Sequence, residues 1–485
     1  MRGQPTRRTV SFEAVLACML APALFAGCAT QRYQAAPLDP AGTASAVEAR
    51  SATETGLREY MAEQGYPAPA WPLERWGLPE LTLAAFYFQP ELALTRAQAT
   101  VARAEIAVAT QPPPYGITPL AGYHSLVRSE DTGPWMFGLA LELPLVPQSR
   151  RDALRERYGA LADAAALKVD DAAWQVRSRV RAAALALHAS RTRLALIDDE
   201  VRAHRELAAL LERRVKAGAA SSVALNAVLL RQAELEGEQQ SAAMAAERNL
   251  ADLAQAVGLP VGHVRELTLD LAAFDAAPPA PTGAEAQRAA LLNRVDVRTK
   301  LLEYAAADAA VKLEIARQYP ALTLKPGYLW DKGDNVWAIA TTILVPAGGN
   351  APAIRAAEAQ RELAAEEFKR LQFRVIGEAD AARARYLSAV AGGARAAAIV
   401  DLAAERGTRA QAQFDAGYAD RTDLVGSRLE QLATQRNALA LRVEAQQALG
   451  ALEDALQVPL AGAPLPRVLS AVGEIGRAPD TPGRR

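Results

Sequence analysis

The sequence has few of the residues on which most chemical sites depend. Two of its 485 residues are cysteine and four are histidine, and 54 basic against 55 acidic residues give a formal net charge of −1. A near-zero charge without a basic tract argues against nucleic acid as a partner. Only 6% of the residues are aromatic, whereas 51% are hydrophobic. This Ala-, Arg- and Glu-rich composition is typical of long packed helices.

Candidate metal ligands and catalytic residues occur singly. No CxxC, HxxH or carboxylate cluster suggests a metal site, and the sequence has neither a Gly-rich phosphate loop nor a nucleophile elbow. The histidines are His124, His188, His204 and His263, with no pair at helical spacing. We therefore expect no metal, no cofactor and no enzymatic activity. His204 is expected to be a satisfied residue at a helix interface.

One long apolar run is present, and it lies at the N-terminus. Basic residues at positions 2, 7 and 8 precede an apolar core, about residues 14–26, that ends in small side chains. This order predicts a signal peptide over residues 1–27. No later stretch reaches ~18 uninterrupted apolar residues, so no transmembrane helix is expected.

The signal peptide ends in LFAGCAT, which resembles the lipoprotein box of bacteria. In that pattern Cys28 is lipidated, as with palmitate, and becomes the first mature residue, although Phe25 stands where Leu is preferred. Cys18 lies in the segment that would be removed, so the mature chain could form no internal disulfide. A neutral residue after the cysteine, here Ala29, implies sorting to the outer membrane. The alternative is ordinary secretion with a chance cysteine.

The sequence contains one architecture twice. Gly218 and Gly417 are 199 residues apart, and the residues around them match at the same offset. The matches are Ala217 with Ala416, Leu225 with Leu424, Gln232 with Gln431, Leu253 with Leu452 and Pro260 with Pro459. A two-fold internal repeat is therefore predicted.

The repeat predicts how the chain is divided. The predicted parts are a signal peptide (1–27), a lipidated arm (28–78), a first repeat (79–262), a Pro-rich connector (263–290), a second repeat (291–461) and a tail (462–485). The arm is rich in Pro, Ala and Gly and is expected to be extended along the surface. The tail is expected to be disordered.

Each repeat contains two segments with the period-two alternation of β-strands, in hairpins at 115–146 and 319–346. Apolar and aromatic residues fall on one face, whereas Glu142 and Lys325 fall on the opposite face. Strands of about ten residues with aromatics near their ends suit a membrane β-barrel. A soluble half-buried hairpin would give the same alternation. The lipoprotein signal and the lack of another β-rich core favour the membrane.

The longest periodic segment of each repeat follows its hairpin. Over residues 176–215 and 375–414, apolar residues recur at alternating spacings of 4 and 3. This 3.5-residue period specifies coiled packing of helices. No proline occurs between residues 148 and 217, so one continuous helix is expected there.

Two glycines interrupt these helical segments. Gly218 and Gly417 are predicted to end the long helices, because a residue without Cβ commonly takes the left-handed conformation after a helix. Three residues later, Ser221 and Asp420 are predicted N-caps of helices that return. The sequence thus predicts two helical hairpins with tips at residues 218 and 417.

This arrangement resembles the TolC family of outer-membrane efflux proteins, in particular the lipidated outer-membrane factors of drug and heavy-metal efflux systems. The resemblance covers about residues 75–461. The motifs that carry it are QPEL (89–92), RVDV (294–297), YPALTLKPGY (319–328) and FDAGYADRTDLV (414–425). Val295 stands where the family usually has proline in the second helix opening.

Four strands cannot close a membrane barrel, so several chains must share one. The family implies a homotrimer that is mainly α with a membrane β-barrel portion, in which three chains give 12 strands and 12 long helices. It implies a passive conduit across the outer membrane and periplasm. The implied partners are outer-membrane lipid, a periplasmic adaptor at the helix tips near Gly218 and Gly417, and an inner-membrane pump, resistance-nodulation-division in type.

The resemblance also implies a periplasmic gate. Asp423, six residues after Gly417, occupies the position of an acidic ring that would select against anions. The alternative is that Asp420 and Asp423 form a capping pair at a helix N-terminus. The family's next acidic position is Gly426 here, and the first repeat has Ala224, so the ring would come from one tip only. Glu142 and Lys325 would face the barrel lumen, or would simply be solvated.

Two other functions remain open from the sequence. A channel of the same fold could be the exit duct for type I protein secretion, although lipidation favours efflux. A lipid-anchored periplasmic coiled-coil scaffold would belong to a different class. Such a scaffold would not need two lipid-facing strands in each repeat.

Overall fold

The computed structural model describes residues 33–66, 71–125, 133–345 and 349–460. The predicted signal peptide, Cys28, the tip of the first hairpin and the tail after residue 461 lie outside the described residues. Lipidation and the sorting signal therefore stay predictions.

The chain divides between Ala49 and Arg50 into two units. In the first unit, helix α1 (Pro40–Glu48) begins at Asp39, whose carboxylate accepts hydrogen bonds from two backbone N–H groups at 3.1 Å. Pro40 suits this start because its fixed φ is helical and it has no N–H to satisfy.

The second unit contains the remaining helices and strands. They are α2 (Thr55–Glu63), α3 (Leu78–Phe88), α4 (Pro90–Thr110), β1 (Gly116–Tyr123), β2 (Trp135–Leu145), α5 (Gln148–Lys216), α6 (Ser222–Val257), α7 (Val261–Glu266), a 3₁₀ helix (Ala272–Asp275), α8 (Gly283–Asn293), α9 (Val295–Arg317), β3 (Ala321–Asp331), β4 (Asp334–Leu344), α10 (Ala351–Asp415) and α11 (Arg421–Leu456). The order helix, hairpin, long helix and returning helix occurs twice.

The two longest helices follow the hairpins, as predicted. α5 runs without a break for 69 residues and α10 for 65 residues. The residues of the predicted 3.5-residue seam are largely buried or partly buried in α5. Far more residues of α5 than of α10 are buried. The reason is that α5 packs on α4, α6, α9 and α11, whereas α10 packs mainly on α9 and α11.

The prediction that residues 28–78 form an extended arm is wrong for part of this segment. α1 and α2 are both helical. In α2, Leu57 and Met61 are one helical turn apart and fully buried in the core that α3, α5 and α6 form. The prediction failed because it rested on the Pro-rich composition around α2, and the apolar face of α2 is short.

The strands form one antiparallel sheet in the order β1-β2-β3-β4. The register places Leu139 opposite Tyr328, and Tyr328 opposite Trp337. Side chains alternate between two faces, so most of the large apolar residues of both hairpins share one face. This apolar face contains Ile117, Tyr123, Trp135, Phe137, Leu139, Leu141, Leu143, Leu145, Leu322, Leu324, Tyr328, Trp330, Trp337, Ile339 and Ile343.

The opposite side is called the glycine face below, because all four strand glycines lie on it: Gly116, Gly122, Gly138 and Gly327. Glu142 and Lys325 are also on this face, as the alternation predicted. The two hairpins thus form one sheet, and its apolar face carries most of the large side chains.

One helix differs from the expectation that no segment could cross a membrane. By length and composition, α10 contains an 18-residue window apolar enough to do so. This window holds at most two charged residues. Almost none of this window is buried within the chain. α10 therefore presents an apolar surface that the described residues of the chain do not cover.

Candidate functional site

The long helices end at two tip turns, centred on Gly218 and Gly417. These glycines have φ of +72° and +78°, in the left-handed region. After Gly218, the N–H of Ala219 donates to the carbonyl of Arg214 at 2.7 Å, and the equivalent bond after Gly417 is 2.8 Å. This pattern is the Schellman motif, which uses glycine to terminate a helix.

The predicted N-caps begin both returning helices. Ser221 Oγ accepts one hydrogen bond, from the backbone N–H of Val223 at 3.1 Å. Asp420 Oδ1 accepts bonds from the N–H groups of Thr422 and Asp423 at 2.7 and 3.0 Å, and from the Thr422 hydroxyl. These bonds, led by that of the hydroxyl, lower the pKa of Asp420 to about 2.

Asp423 completes a capping box with Asp420. Its Oδ2 accepts the backbone N–H of Asp420 at 3.2 Å, so each carboxylate satisfies the other's backbone. The capping pair that the sequence offered as an alternative to a gate is therefore present. Asp423 is exposed at the tip, so capping leaves its charge accessible to solvent.

An ionic pair that the sequence did not reveal joins the two tips. Arg214, in the last turn of α5, donates to Asp420 Oδ2 at 2.8 Å and to the Thr422 hydroxyl at 2.9 Å. Beside it, Arg421 binds Glu206 of α5 at 2.6 Å. The partners lie over 200 residues apart, and only the packing of α11 on α5 brings them together. The one signal in the sequence was the basic last turn of α5.

On the sheet, Glu142 and Lys325 are partners. They lie on the neighbouring strands β2 and β3, and Lys325 Nζ lies 2.8 Å from Glu142 Oε1. Both side chains are about one-third exposed. Sequence analysis found their common face but missed the pair, because the register between the two hairpins was unknown.

The apolar face is open to solvent in the single chain. Trp337 and Ile339, on the edge strand β4, are 79% and 75% exposed. On β2, Trp135 and Leu139 are about half exposed. Large apolar patches are uncommon on soluble monomers and mark surfaces for another protein or a membrane.

The interior of the helical part contains a buried charge cluster. The Arg177 guanidinium donates twice to Glu453 Oε2 at 3.1 Å, and Arg181 Nε lies 3.4 Å from the same oxygen. Arg181 also donates to the carbonyl and the side chain of Gln446 at 2.9 Å. These bonds tie α5 to α11, and sequence analysis missed them. Burial lowers the pKa of Arg181, an effect that the Glu453 carboxylate opposes.

Four side chains of α5 have buried polar atoms without a hydrogen-bond partner in the described part of the chain, and Asp170 and His204 are two of them. Both carboxyl oxygens of Asp170 are buried and unpartnered, and burial raises its pKa to about 7. His204 lies on the predicted seam, and burial lowers its pKa. Its Nδ1 is buried without a partner. The prediction of a satisfied histidine is therefore wrong for this atom.

The other histidines are separate. His124 and Asp331 are 2.8 Å apart at one end of the sheet, and His188 lies 3.3 Å from Asp275. Within the described residues, no group of three or more His, Cys, Asp or Glu side chains could hold a metal ion. The arrangement thus consists of ionic links between helices and two chemically distinct sheet faces.

Solved structures with this fold are known. The outer membrane protein VceC of Vibrio cholerae matches with a TM-score of 0.61 and 19% identity, over 78% of this chain and 95% of its own. The outer-membrane channel OprN matches with a TM-score of 0.61 and 19% identity, over 88% and 97%. The chain has the fold of outer-membrane channels.

A third match is the MtrE outer membrane channel of Neisseria gonorrhoeae in its open state. Its TM-score is 0.61 and its identity 16%, over 79% of this chain and 89% of MtrE. No protein-family model and no curated protein matches the sequence. The resemblance seen in the sequence is thus confirmed at the level of the fold, and each match spans most of both chains.

Proposed function

We propose that this protein is the outer-membrane channel of a tripartite efflux system and acts without catalysis. The observation that carries the proposal is the apolar face of the four-stranded sheet. It is exposed, bears its aromatic residues toward the hairpin tips and belongs to strands of 8 to 11 residues. Those lengths and that side-chain alternation suit strands that cross a bilayer.

The sheet edges indicate how such a channel is assembled. β1 and β4 each have one neighbour in the chain, and an unpaired edge in lipid leaves backbone groups unsatisfied. Other copies must therefore pair with these edges. Three copies would give a closed barrel of about 12 strands, which is within the range of membrane barrels. The exposed apolar stretch of α10 indicates that a neighbouring copy would also pack against the helical part.

The remaining parts of the proposal concern attachment and partners. Lipidated Cys28 would anchor the chain in the outer membrane, and the long helices would extend into the periplasm. The tip turns at Gly218 and Gly417 would contact a periplasmic adaptor, which links the channel to an inner-membrane pump of the resistance-nodulation-division type. The fold of known outer-membrane channels supports these assignments.

The acidic tip would form the periplasmic gate. In a trimer, three copies of Asp423 would surround the axis, and their carboxylates would disfavour anions. The contact of Arg214 with Asp420 would hold the start of α11 against the end of α5. It would thereby keep the periplasmic end of the channel narrow. Because the pKa of Asp420 is about 2, the contact would persist throughout the pH range of the periplasm.

A pair of substitutions on β4 tests the membrane assignment. Ile339 and Ala338 are neighbours at the middle of β4, on the apolar and glycine faces respectively. Lysine on a lipid-facing strand costs about 2–4 kcal/mol at the bilayer midplane. Ile339→Lys should therefore reduce the amount of protein in the outer membrane and the conductance in planar bilayers, whereas Ala338→Lys should be inserted normally. Equal insertion of both variants would favour a periplasmic scaffold and contradict a channel.

A further inference from the structure

The glycine face is richer in small side chains than the apolar face, although it also bears Leu120, Met136, Leu329, Val336 and Leu344. Besides the four glycines, it presents Ala140, Ala338 and Ala340 on the central part of β2 and β4. At Gly138 a Cβ would lie 2.9 Å from Leu329 Cδ1 and 3.0 Å from the Tyr328 carbonyl, so the face has little room for a larger residue there.

Charge on the glycine face is sparse. Between the ends of the described strands, Glu142 and Lys325 are its only charged residues. The other charged residues of this face, Asp331 and Asp334, are at the β3–β4 turn, where Asp331 pairs with His124 at 2.8 Å. The middle of the face thus carries one acid and one base, which are 2.8 Å apart.

Two opposite charges this close largely cancel at a distance. A solute passing several ångströms away meets the field of a dipole, and salt screens that field further over a length of about 8–10 Å. An unpaired acid or base at the same position would instead present a ring of three like charges in a trimer. Such rings are what give channels a preference for ions of one sign.

We propose that pairing of Glu142 with Lys325 makes the membrane section of the channel indifferent to the charge sign of its solute. This inference rests on the proposed channel function and adds a substrate class to it. The exit would pass cationic, anionic and neutral solutes alike. Any sign preference of the whole channel would then arise at the periplasmic tip.

Three variants of the full-length lipidated protein test the proposal. Glu142→Gln leaves Lys325 unpaired, and Lys325→Gln leaves Glu142 unpaired. The third variant, Glu142→Gln with Lys325→Gln, removes both charges and serves as the control for altered packing. The reversal potential of each is measured in planar bilayers across a potassium chloride gradient, with the wild type as the reference.

The expected shifts have opposite signs. Glu142→Gln should move the reversal potential toward anion preference, Lys325→Gln toward cation preference, and the double variant should return to the wild-type value. Single-variant shifts of the same sign, no shift, or a double variant that does not return would overturn the inference while leaving the channel intact. A wild type without any conductance would instead contradict the proposed function.

Discussion

The pairing of Arg177 and Arg181 with Glu453 illustrates how single residues hold the helical part together. Glu453 is 1% exposed and receives both guanidinium groups, which are themselves 7% exposed. A buried ion pair contributes little over an apolar replacement, but loss of one partner leaves charge stranded in a medium that solvates it poorly. Removing one member of this cluster is therefore expected to destabilise the fold more than replacing the whole cluster by apolar residues.

Glu453→Gln is expected to lower the free energy of unfolding by about 3–5 kcal/mol, because two buried arginines would lose their counter-charge. The measurement is the urea-unfolding midpoint of the detergent-solubilised protein, followed by circular dichroism. Glu430→Gln on the same helix is the matched control. It breaks an exposed pair with Arg406 and should cost at most about 1 kcal/mol. Equal effects of the two variants would contradict a buried ionic link.

Asp170 gives a prediction about pH. Burial raises its pKa to about 7, against the opposing charge of Arg298, whereas the unfolded chain has an ordinary carboxyl pKa of about 3.9. A group whose folded pKa is raised contributes its stability below the unfolded value and loses it as pH rises through the folded value. Asp170 therefore weakens the fold increasingly between about pH 4 and pH 7.

The substitution Asp170→Asn removes this titration while keeping the size of the side chain. The variant should gain stability over the wild type as the pH is raised from about 5 to about 8, because the wild-type chain must then ionise a buried carboxyl. Unfolding midpoints of both proteins across that range provide the measurement. A difference that shrinks with rising pH would show that Asp170 is ionised and stabilised in the folded chain.

At the scale of the elements, the tip turn of α10 depends on the conformation of a glycine. Gly417 has φ of +78°, which costs roughly 1–2 kcal/mol for a residue with Cβ. Gly377 lies within α10 and is exposed, and a Cβ added to it would meet no atom within 4 Å. Alanine there should stabilise the helix by roughly 0.5–1 kcal/mol.

Gly417→Ala and Gly377→Ala are therefore expected to shift the unfolding midpoint in opposite directions. Thermal unfolding of the two variants beside the wild type is sufficient to see this. The Gly417 variant should also bind the periplasmic adaptor more weakly, because the tip turn is distorted. The Gly377 variant should bind the adaptor as the wild type does. A stabilising effect of alanine at Gly417 would rule out the left-handed turn.

The elements themselves could largely be predicted from the sequence, because their causes are local. A proline-free stretch indicated α5, period-two alternation indicated the hairpins, and Gly218 with Ser221 indicated the first helix reversal. α2 was missed, since its short apolar face lies among prolines and is stabilised by packing on α3. Local pattern is thus a good guide to elements that are long, and a poor guide to short ones.

The ionic links could not be predicted, because each depends on the register between elements that are far apart in the chain. Glu142 meets Lys325 only after the two hairpins join in one sheet, and Arg214 meets Asp420 only after α11 packs on α5. The sequence pointed to Asp420 and Asp423 as a capping pair, and to Glu142 and Lys325 as two residues on one face. The ionic pairs of Asp420 with Arg214 and of Glu142 with Lys325 required three-dimensional packing.

At the scale of the whole molecule, the single chain leaves surfaces uncovered in both its sheet and its helical part. Among the described residues, its sheet has two edges without a neighbouring strand and an exposed apolar face, and the apolar surface of α10 is left uncovered. Lipid would cover the apolar face, and other copies would cover the edges and α10. The proposed trimer in the outer membrane would cover all three surfaces at once.

The measurement that tests this most directly is the molar mass of the detergent-extracted, lipidated protein by light scattering, corrected for bound detergent. The proposed channel predicts a mass three times that of the mature chain. A folded monomer that is attached to the membrane only by its lipid would contradict the channel, because four strands cannot line a pore.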